Sequence, residues 1–453
     1  MVDIPTTIAI SSIIFFYLVT YLLARHWKKS LKVSMVTDEE ASRKKAELLK
    51  EQKEHWRPFR YNLAYALQYL GQGFVRMAFV FFLPIYIAQE LGYPQAAIPA
   101  LIALITLAWT IKWPWGVLTD AVPWGRFGRR KPYIILFTTI AVIALAVFAF
   151  TPINFSIVIA LSILFLALLS GIDAAYDGLL LDIIPSDYHG FTIGGVAWGF
   201  KALGELISSL ATATVIALYG FSAAFLMALL FQLLSYSCLL IHEPTITMEK
   251  RVSKESFSRL FTDKYLWVGF LALSLPSYLA FYSPTAGALG FVLKNVVKAT
   301  PLIGTIGAMN RGACIVGSLL GGFISDKIGH KKTAIIGGSL MGITIFAWIF
   351  ASPETVNYVF ILATIMGIIE GFSISGTFAI CGDLCPPYMP GTNFQVFMSA
   401  GHIGAYIMLL VWSSVLASYS WVWGIITIAI LGAIYLIPIS FIKPVREAKA
   451  QKV

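Results

Sequence analysis

Two carboxylates one helical turn apart within an apolar stretch, Asp173 and Asp177 in "SGIDAAYDGLL", are the first candidates for chemistry in this chain. In a low-dielectric setting two such groups cannot both ionise cheaply. A carboxyl that takes up and gives back a proton is what coupling to a proton flow requires. The structural alternative holds one of the pair permanently on Arg76 or Lys112. Lys201, Glu205, Arg311, Glu370 and His402 are likewise embedded in apolar runs, where an ionisable group is costly and therefore a functional candidate by default. Gln68, Gln72 and Arg76 recur every fourth residue and make one polar stripe on a helix, suited to a solute or to hydrogen bonding between helices. Lys201 and Glu205 can pair within their helix, and Arg311 can pair with Glu370, the best coupling candidate of the second half. His402 is either a proton relay or a packed neutral imidazole. Trp109, Trp113, Trp198, Tyr278, Tyr282 and Tyr406 supply rings that stack on a sugar or anchor helices at an interface.

The surrounding composition is that of a chain dissolved in lipid. Of 453 residues 58% are hydrophobic and only 12% charged, with a mean hydropathy of +0.79; a soluble domain carries about 25% charged residues. The net charge of +10 sits in short basic segments between apolar runs, which is the positive-inside pattern and excludes nucleic acid as a partner. Cys238, Cys314, Cys381 and Cys385 all lie in apolar segments, with neither zinc spacing nor a disulfide framework. No loop holds a nucleophile with its base, and no phosphate-binding G-x-x-x-x-G-K-[ST] run occurs. We therefore expect neither an enzyme nor a cofactor, metal or direct use of ATP.

A spanning helix needs about 20 apolar residues. One run, about 5–25, opens the chain; it lacks the basic leader of a signal peptide and is read as an uncleaved anchor. Twelve more follow near 61–89, 95–120, 132–151, 155–184, 192–218, 221–241, 265–292, 299–325, 333–351, 356–384, 392–418 and 420–442. Thr37 and Glu40 form a capping box that opens a short charged helix before the first of them. The segments 26–60, 126–131, 243–264, 327–332 and 444–452 are all basic, and twelve core spans put every one on the same side. That side is expected to be the cytoplasm, with the N-terminus outside. The expected organisation is 1–26 anchor helix, 27–60 basic segment with a short helix, 61–242 first six-helix bundle, 243–264 linker, 265–443 second six-helix bundle and 444–453 tail.

The halves repeat. "GVLTDAVPWGRFGRRK" (116–131) has a counterpart in "GGFISDKIGHKK" (321–332), and "LDIIPSDYHG" (181–190) in "GDLCPPYMPG" (382–391). Asp182, Pro185 and Gly190 match Asp383, Pro386 and Gly391 at a constant offset of 201, which Gly128 and Gly329 share; the first loop is five residues longer between its Asp and its Gly. Lys201 and His402 stand in the same register. Two repeated bundles are the arrangement of carriers whose halves rock about a central site. The basic loop and nearby acids, Asp120, Arg126, Arg129, Arg130, Lys131, Asp182, Asp326, Lys331 and Asp383, are then candidates for a cytoplasmic gate. Asp120 would hold it closed in the outward-facing state through the basic loop or a neighbouring helix end.

The G-x-x-x-D run followed by a basic G-[RHK]-[RK]-K loop, present twice among twelve spans, resembles the major facilitator superfamily over about residues 58–445; the anchor helix is an addition to that pattern. The resemblance implies an all-α membrane fold of two pseudo-symmetric six-helix bundles, an alternating-access carrier and no enzyme activity. It also implies that core helices three, six, nine and twelve face lipid, and these are the ones without embedded charges. "RFGRRKPYI", "ALQ" in the first core helix and the Asp-bearing fourth resemble the glycoside–cation symporters, sucrose carriers included. Muropeptide permeases show a related look around the fourth and tenth helices. "LPSYLAFYSPTAG" in the seventh helix, with two prolines and a glycine, suits a gating helix. The leading expectation is a monomeric secondary transporter in the cell membrane, moving a small polar solute such as a sugar or glycoside by proton-coupled symport, with protons or another cation as partner. An exporter or facilitator of an anionic or amphipathic compound, such as a muropeptide, is the alternative. A non-transporting receptor is a third, more distant reading.

Overall fold

The computed structural model describes residues 54–94, 107–124, 127–151, 154–243, 300–385, 389–433 and 436–442, with the isolated positions 50, 52, 101, 105, 258 and 293. The anchor at 1–26, the charged helix at Thr37, the linker after Glu243, the seventh span with Tyr278 and Tyr282, and Arg126 lie outside the described residues.

The described residues are helical, and no strand occurs among them. In order they are α1 (Pro58–Gln89), α2 (Trp113–Ala121), α3 (Lys131–Phe150), α4 (Phe155–Ile183), α5 (Trp198–Gln232), α6 (Thr300–Ile328), α7 (His330–Ala347), α8 (Val356–Leu384), α9 (Pro390–Ser418), α10 (Trp421–Gly432) and α11 (Leu436–Phe441). Among the described residues six helices are long and apolar enough to cross a membrane. A π-helical stretch, Gly190–Ala197, leads into α5, and a 3-10 stretch, Leu233–Leu240, follows it. α5 breaks at Gly220, whose φ of 79° lies in the left-handed region, between the runs expected at 192–218 and 221–241.

The helix ends follow local chemistry. α2 and α3 carry proline in the first turn, where a missing N–H costs nothing. Asn154 caps α4 by accepting the Ile157 N–H at 3.0 Å, the usual role of a side-chain oxygen at that position. α4 and α8 stop two residues before Pro185 and Pro386 of the repeated motif. Ile184 and Cys385 are extended there, with ψ of 125° and 120°, because a following proline disfavours the helical region.

The described residues form two compact units. The first holds those up to Pro185, those between Ala211 and Thr262 and those between Pro386 and Gln395; the second holds those in Ser186–Leu210, those in Asp263–Cys385 and those from Val396 onward. In the first unit aromatic rings fill the core: Phe74 stacks on Phe231 with centroids 3.8 Å apart, and Phe79 meets Phe148, Phe165 and Phe225. In the second, α6 and α8 meet backbone to backbone. A Cβ on Gly317 would lie 2.0 Å from the Ile368 carbonyl oxygen, and one on Gly367 2.2 Å from that of Asn310. Small residues at helix crossings are how helices in lipid gain van der Waals contact without a hydrophobic driving force. This close approach sets Arg311 against Glu370.

Candidate functional site

In the first unit α1 carries Gln68, Tyr69, Gln72 and Arg76, of which Tyr69 and Gln72 reach the acids of α4. The four-residue spacing puts Asp173 and Asp177 on one face of α4, yet their partners differ in kind. Asp173 accepts from the Gln72 amide and is ion-paired with Lys112 Nζ, all three being buried. Asp177 accepts from the Tyr69 hydroxyl and, at 2.7 Å, from Gln395 Nε2 at the start of α9; both donors are neutral. Lys112 also lies over the Trp109 ring at 4.1 Å, with Arg76 5.9 Å from the same ring. Among the described residues, both amide atoms of Gln68 and the amide oxygens of Gln72 and Gln395 are buried without a hydrogen-bond partner. Such groups in low dielectric are costly to leave unmade.

In the second unit Arg311 is the centre. Its guanidinium donates to Asn310 Oδ1 at 2.6 and 3.1 Å, pairs with Glu370 and stands 3.7 Å from Glu205. Asn310 is itself fixed by donating to the Ala363 carbonyl at 2.9 Å. Lys201 Nζ sits 4.8 Å from the Trp198 ring centre, and Trp198 meets Phe378 edge-on. His402 Nδ1 is 2.7 Å from the Met398 carbonyl, which accepts only, so that nitrogen carries a proton. The two carboxylates nearest mid-helix in this unit thus face a guanidinium, whereas Asp177 in the first unit faces amide and phenol.

The loop end of the first unit is a closed network of charge. Arg129 and Arg130 both reach Asp120 Oδ1, Arg130 Nε donates to Asp182 at 3.0 Å, and Arg130 Nη1 to Thr119 Oγ1 at 2.7 Å. Both arginines are wholly buried. Asp120 Oδ2 accepts the Thr392 N–H at 2.6 Å and its hydroxyl at 2.7 Å, at the start of α9. Glu243 accepts backbone N–H groups of Arg129, Arg130 and Lys131 at 2.8, 2.6 and 3.3 Å, a carboxylate seated on the positive end of α3. Burial pushes its carboxyl upward from the ordinary value, against the pull of those N–H donors. Burial opposes the charge of Arg130, but Asp120 and Asp182 outweigh it and hold the guanidinium above its ordinary value. Gly128 adopts a φ of 106°, and a Cβ there would strike Glu243 at 2.4 Å.

The corresponding end of the second unit keeps the acids and changes the base. Asp326 accepts the Gly190 and Phe191 N–H groups at 2.8 and 2.9 Å; Phe191 stands 201 residues before Thr392. His330, 201 residues after Arg129, bridges Asp326 at 3.1 Å and Asp383 at 2.6 Å. His189 lies 3.0 Å from the other Asp383 oxygen. Lys331 donates instead to the Ser440 and Ile442 carbonyls at 2.6 and 2.7 Å. His189, His330, Glu243, Tyr69, Gln395 and Asn310 were not singled out from sequence; only His330 had a signal there, its register with Arg129.

A family model for the Major Facilitator Superfamily matches residues 63–312 and 299–453. The chain is 24% identical over 340 residues to AmpG 4 of Rickettsia conorii, covering 70% of this chain and 80% of that one. It is 25% identical over 265 residues to the cis,cis-muconate transport protein of Acinetobacter baylyi, covering 51% and 59%. Among solved structures the Escherichia coli fucose:proton symporter FucP superposes with a TM-score of 0.64 at 14% identity, over 85% of this chain and 98% of that one; a likeness at that identity speaks for the fold alone.

Proposed function

Because the chain belongs to the Major Facilitator Superfamily, and is thus a multi-pass membrane transporter and not an enzyme, we propose that it is a proton-coupled symporter working by alternating access. The observation that carries this reading is Asp177. It is a buried carboxylate that accepts from a phenol and an amide, while Asp173, one turn away, has Lys112. Neutral donors serve a carboxyl with or without its proton, provided a hydroxyl or amide can turn, so Asp177 is the group that exchanges a proton and Asp173 the group that stays charged. Glu370 plays a slower part in the second unit, bound to Arg311 until a solute or proton competes for it. A small polar solute, a sugar or glycoside, fits the orphaned amides of Gln68, Gln72 and Gln395, and FucP is a symporter of that kind.

The loop-end clusters act as latches on the cytoplasmic side. Asp120 holds the start of α9 through Thr392, and Asp326 holds the segment after His189 through two backbone N–H groups. A second reading, an exporter or facilitator of an organic anion, is favoured by the muconate transporter among the relatives and by the buried cations Lys112 and Arg311 together with Arg76 on α1.

Purified protein in liposomes decides between them. Uptake of a labelled sugar should rise with an inward proton gradient, and Asp177→Asn should abolish accumulation against a gradient while sparing exchange of solute at equal concentrations. Accumulation that survives both a protonophore and Asp177→Asn rules out proton coupling through this carboxyl. Uptake of dicarboxylates but not of sugars selects the second reading.

A further inference from the structure

The two loop ends share a backbone plan but not a base. Both nitrogens of His330 rest on carboxylate oxygens, Nδ1 on Asp383 and Nε2 on Asp326. Carboxylate oxygens accept only, and a neutral imidazole has a single N–H. The geometry therefore calls for an imidazolium. The charged and titratable groups facing it are Asp326 on α6, Asp383 on α8 and His189 before the π-helical stretch, whose ring centre is 6.5 Å away. The neighbouring lysines of the loop are engaged differently: Lys327 lies over the Phe323 ring at 4.0 Å and Lys331 on the carbonyls of α11 and the residue after it.

We propose that His330 is a positioning residue that makes the second latch respond to pH, so that deprotonating it frees Asp326 to release Gly190 and Phe191, while the arginine latch of the first unit does not respond. His189 shares the task through the second oxygen of Asp383. The inference rests on reading both clusters as latches of a carrier.

His330 is the first residue of α7, ahead of the apolar run expected at 333–351. Burial works against its charge, but the hydrogen bonds to Asp326 and Asp383 prevail and push it from an ordinary 6.5 up to about 9. The sign follows from linkage. A base held above its free value contributes its full share of folding stability below about 6.5 and loses it as pH rises through about 9; the part of that share made only in the latched state moves the latching equilibrium, by at most about tenfold per pH unit. The guanidiniums of Arg129 and Arg130 stay charged throughout that window.

Hydrogen exchange of the Gly190 and Phe191 amides reads the latch without any substrate. In full-length protein in nanodiscs, the protection of these amides, corrected for intrinsic exchange, should fall between pH 6.5 and 9 by up to about tenfold per unit. His330→Arg should remove that slope and keep protection high; His330→Gln should leave it low at every pH. A flat wild-type profile, or the same slope in His330→Arg, overturns the proposal. If His330→Gln does not fold, the wild-type and arginine profiles still decide. Since no solute is needed, a failure of the transport reading leaves this result standing, and a flat exchange profile in a protein that does accumulate solute sinks the latch alone.

Discussion

Arginine and histidine occupy one position of the repeat, 129 and 330, and the loop ends built on them differ in what they can respond to. In the first unit two guanidiniums bind two acids with every group buried. In the second a single imidazole bridges Asp326 and Asp383, with another at its side. The acids, the turn glycines Gly128 and Gly329 with φ of 106° and 103°, and the backbone N–H groups they hold are common to both. Duplication has preserved the frame, and the base is where the two copies part. On the latch reading, a fixed cation makes a latch whose strength depends on geometry alone, and a titratable one adds the proton as a ligand.

Three substitutions break or sharpen that contrast. The largest effect is expected from Arg130→Gln, which leaves Asp120 and Asp182 short of a buried partner at a cost of about 3–5 kcal/mol. Thermal unfolding in detergent should show a clear fall, and the Thr392 amide should lose protection. Glu243→Ala comes next: three N–H groups at the start of α3 lose their acceptor. The expected cost is about 1–3 kcal/mol, visible as faster exchange of Arg129 and Arg130 amides with little change in solute affinity. The smallest and most telling is Arg129→His. It should give the Thr392 amide a new pH dependence of about threefold per unit, muted because Arg130 remains on Asp120 and less than the full linkage slope. A Thr392 profile as flat as the wild type would mean that the neighbouring carboxylates, not the base, set the response.

Much of this was legible before any coordinates. The apolar runs locate α1, α3, α4, α7 and α8 because hydrocarbon thickness dictates their length, and the 201-residue register makes Asp182 and Asp383 counterparts. Which acid meets which base was not legible. Asp173 takes Lys112 and Asp177 takes Gln395, 218 residues away, and only the packing of helices chooses between such pairs. Glu243 is illegible for the same reason: nothing near it in sequence shows that it sits on the start of α3. In sequence His330, a histidine among lysines, reads as one more charge on a basic loop. Its meaning comes from two carboxylates brought in by α6 and α8.

The contact between α6 and α8 has a consequence for how this protein can vary. A Cβ at Gly371 would lie 2.4 Å from the Cys314 carbonyl oxygen, a clash of the same kind as at Gly317 and Gly367. Oxygen and carbon atoms of a backbone cannot step aside as a side chain does, so no larger residue fits without prising the helices apart. Charged residues in the latches can be exchanged for others of their kind with a change in tuning. These three glycines admit no such drift. The least replaceable positions in the second unit are those with no side chain, and specialisation of a relative toward a new cargo would have to proceed around them.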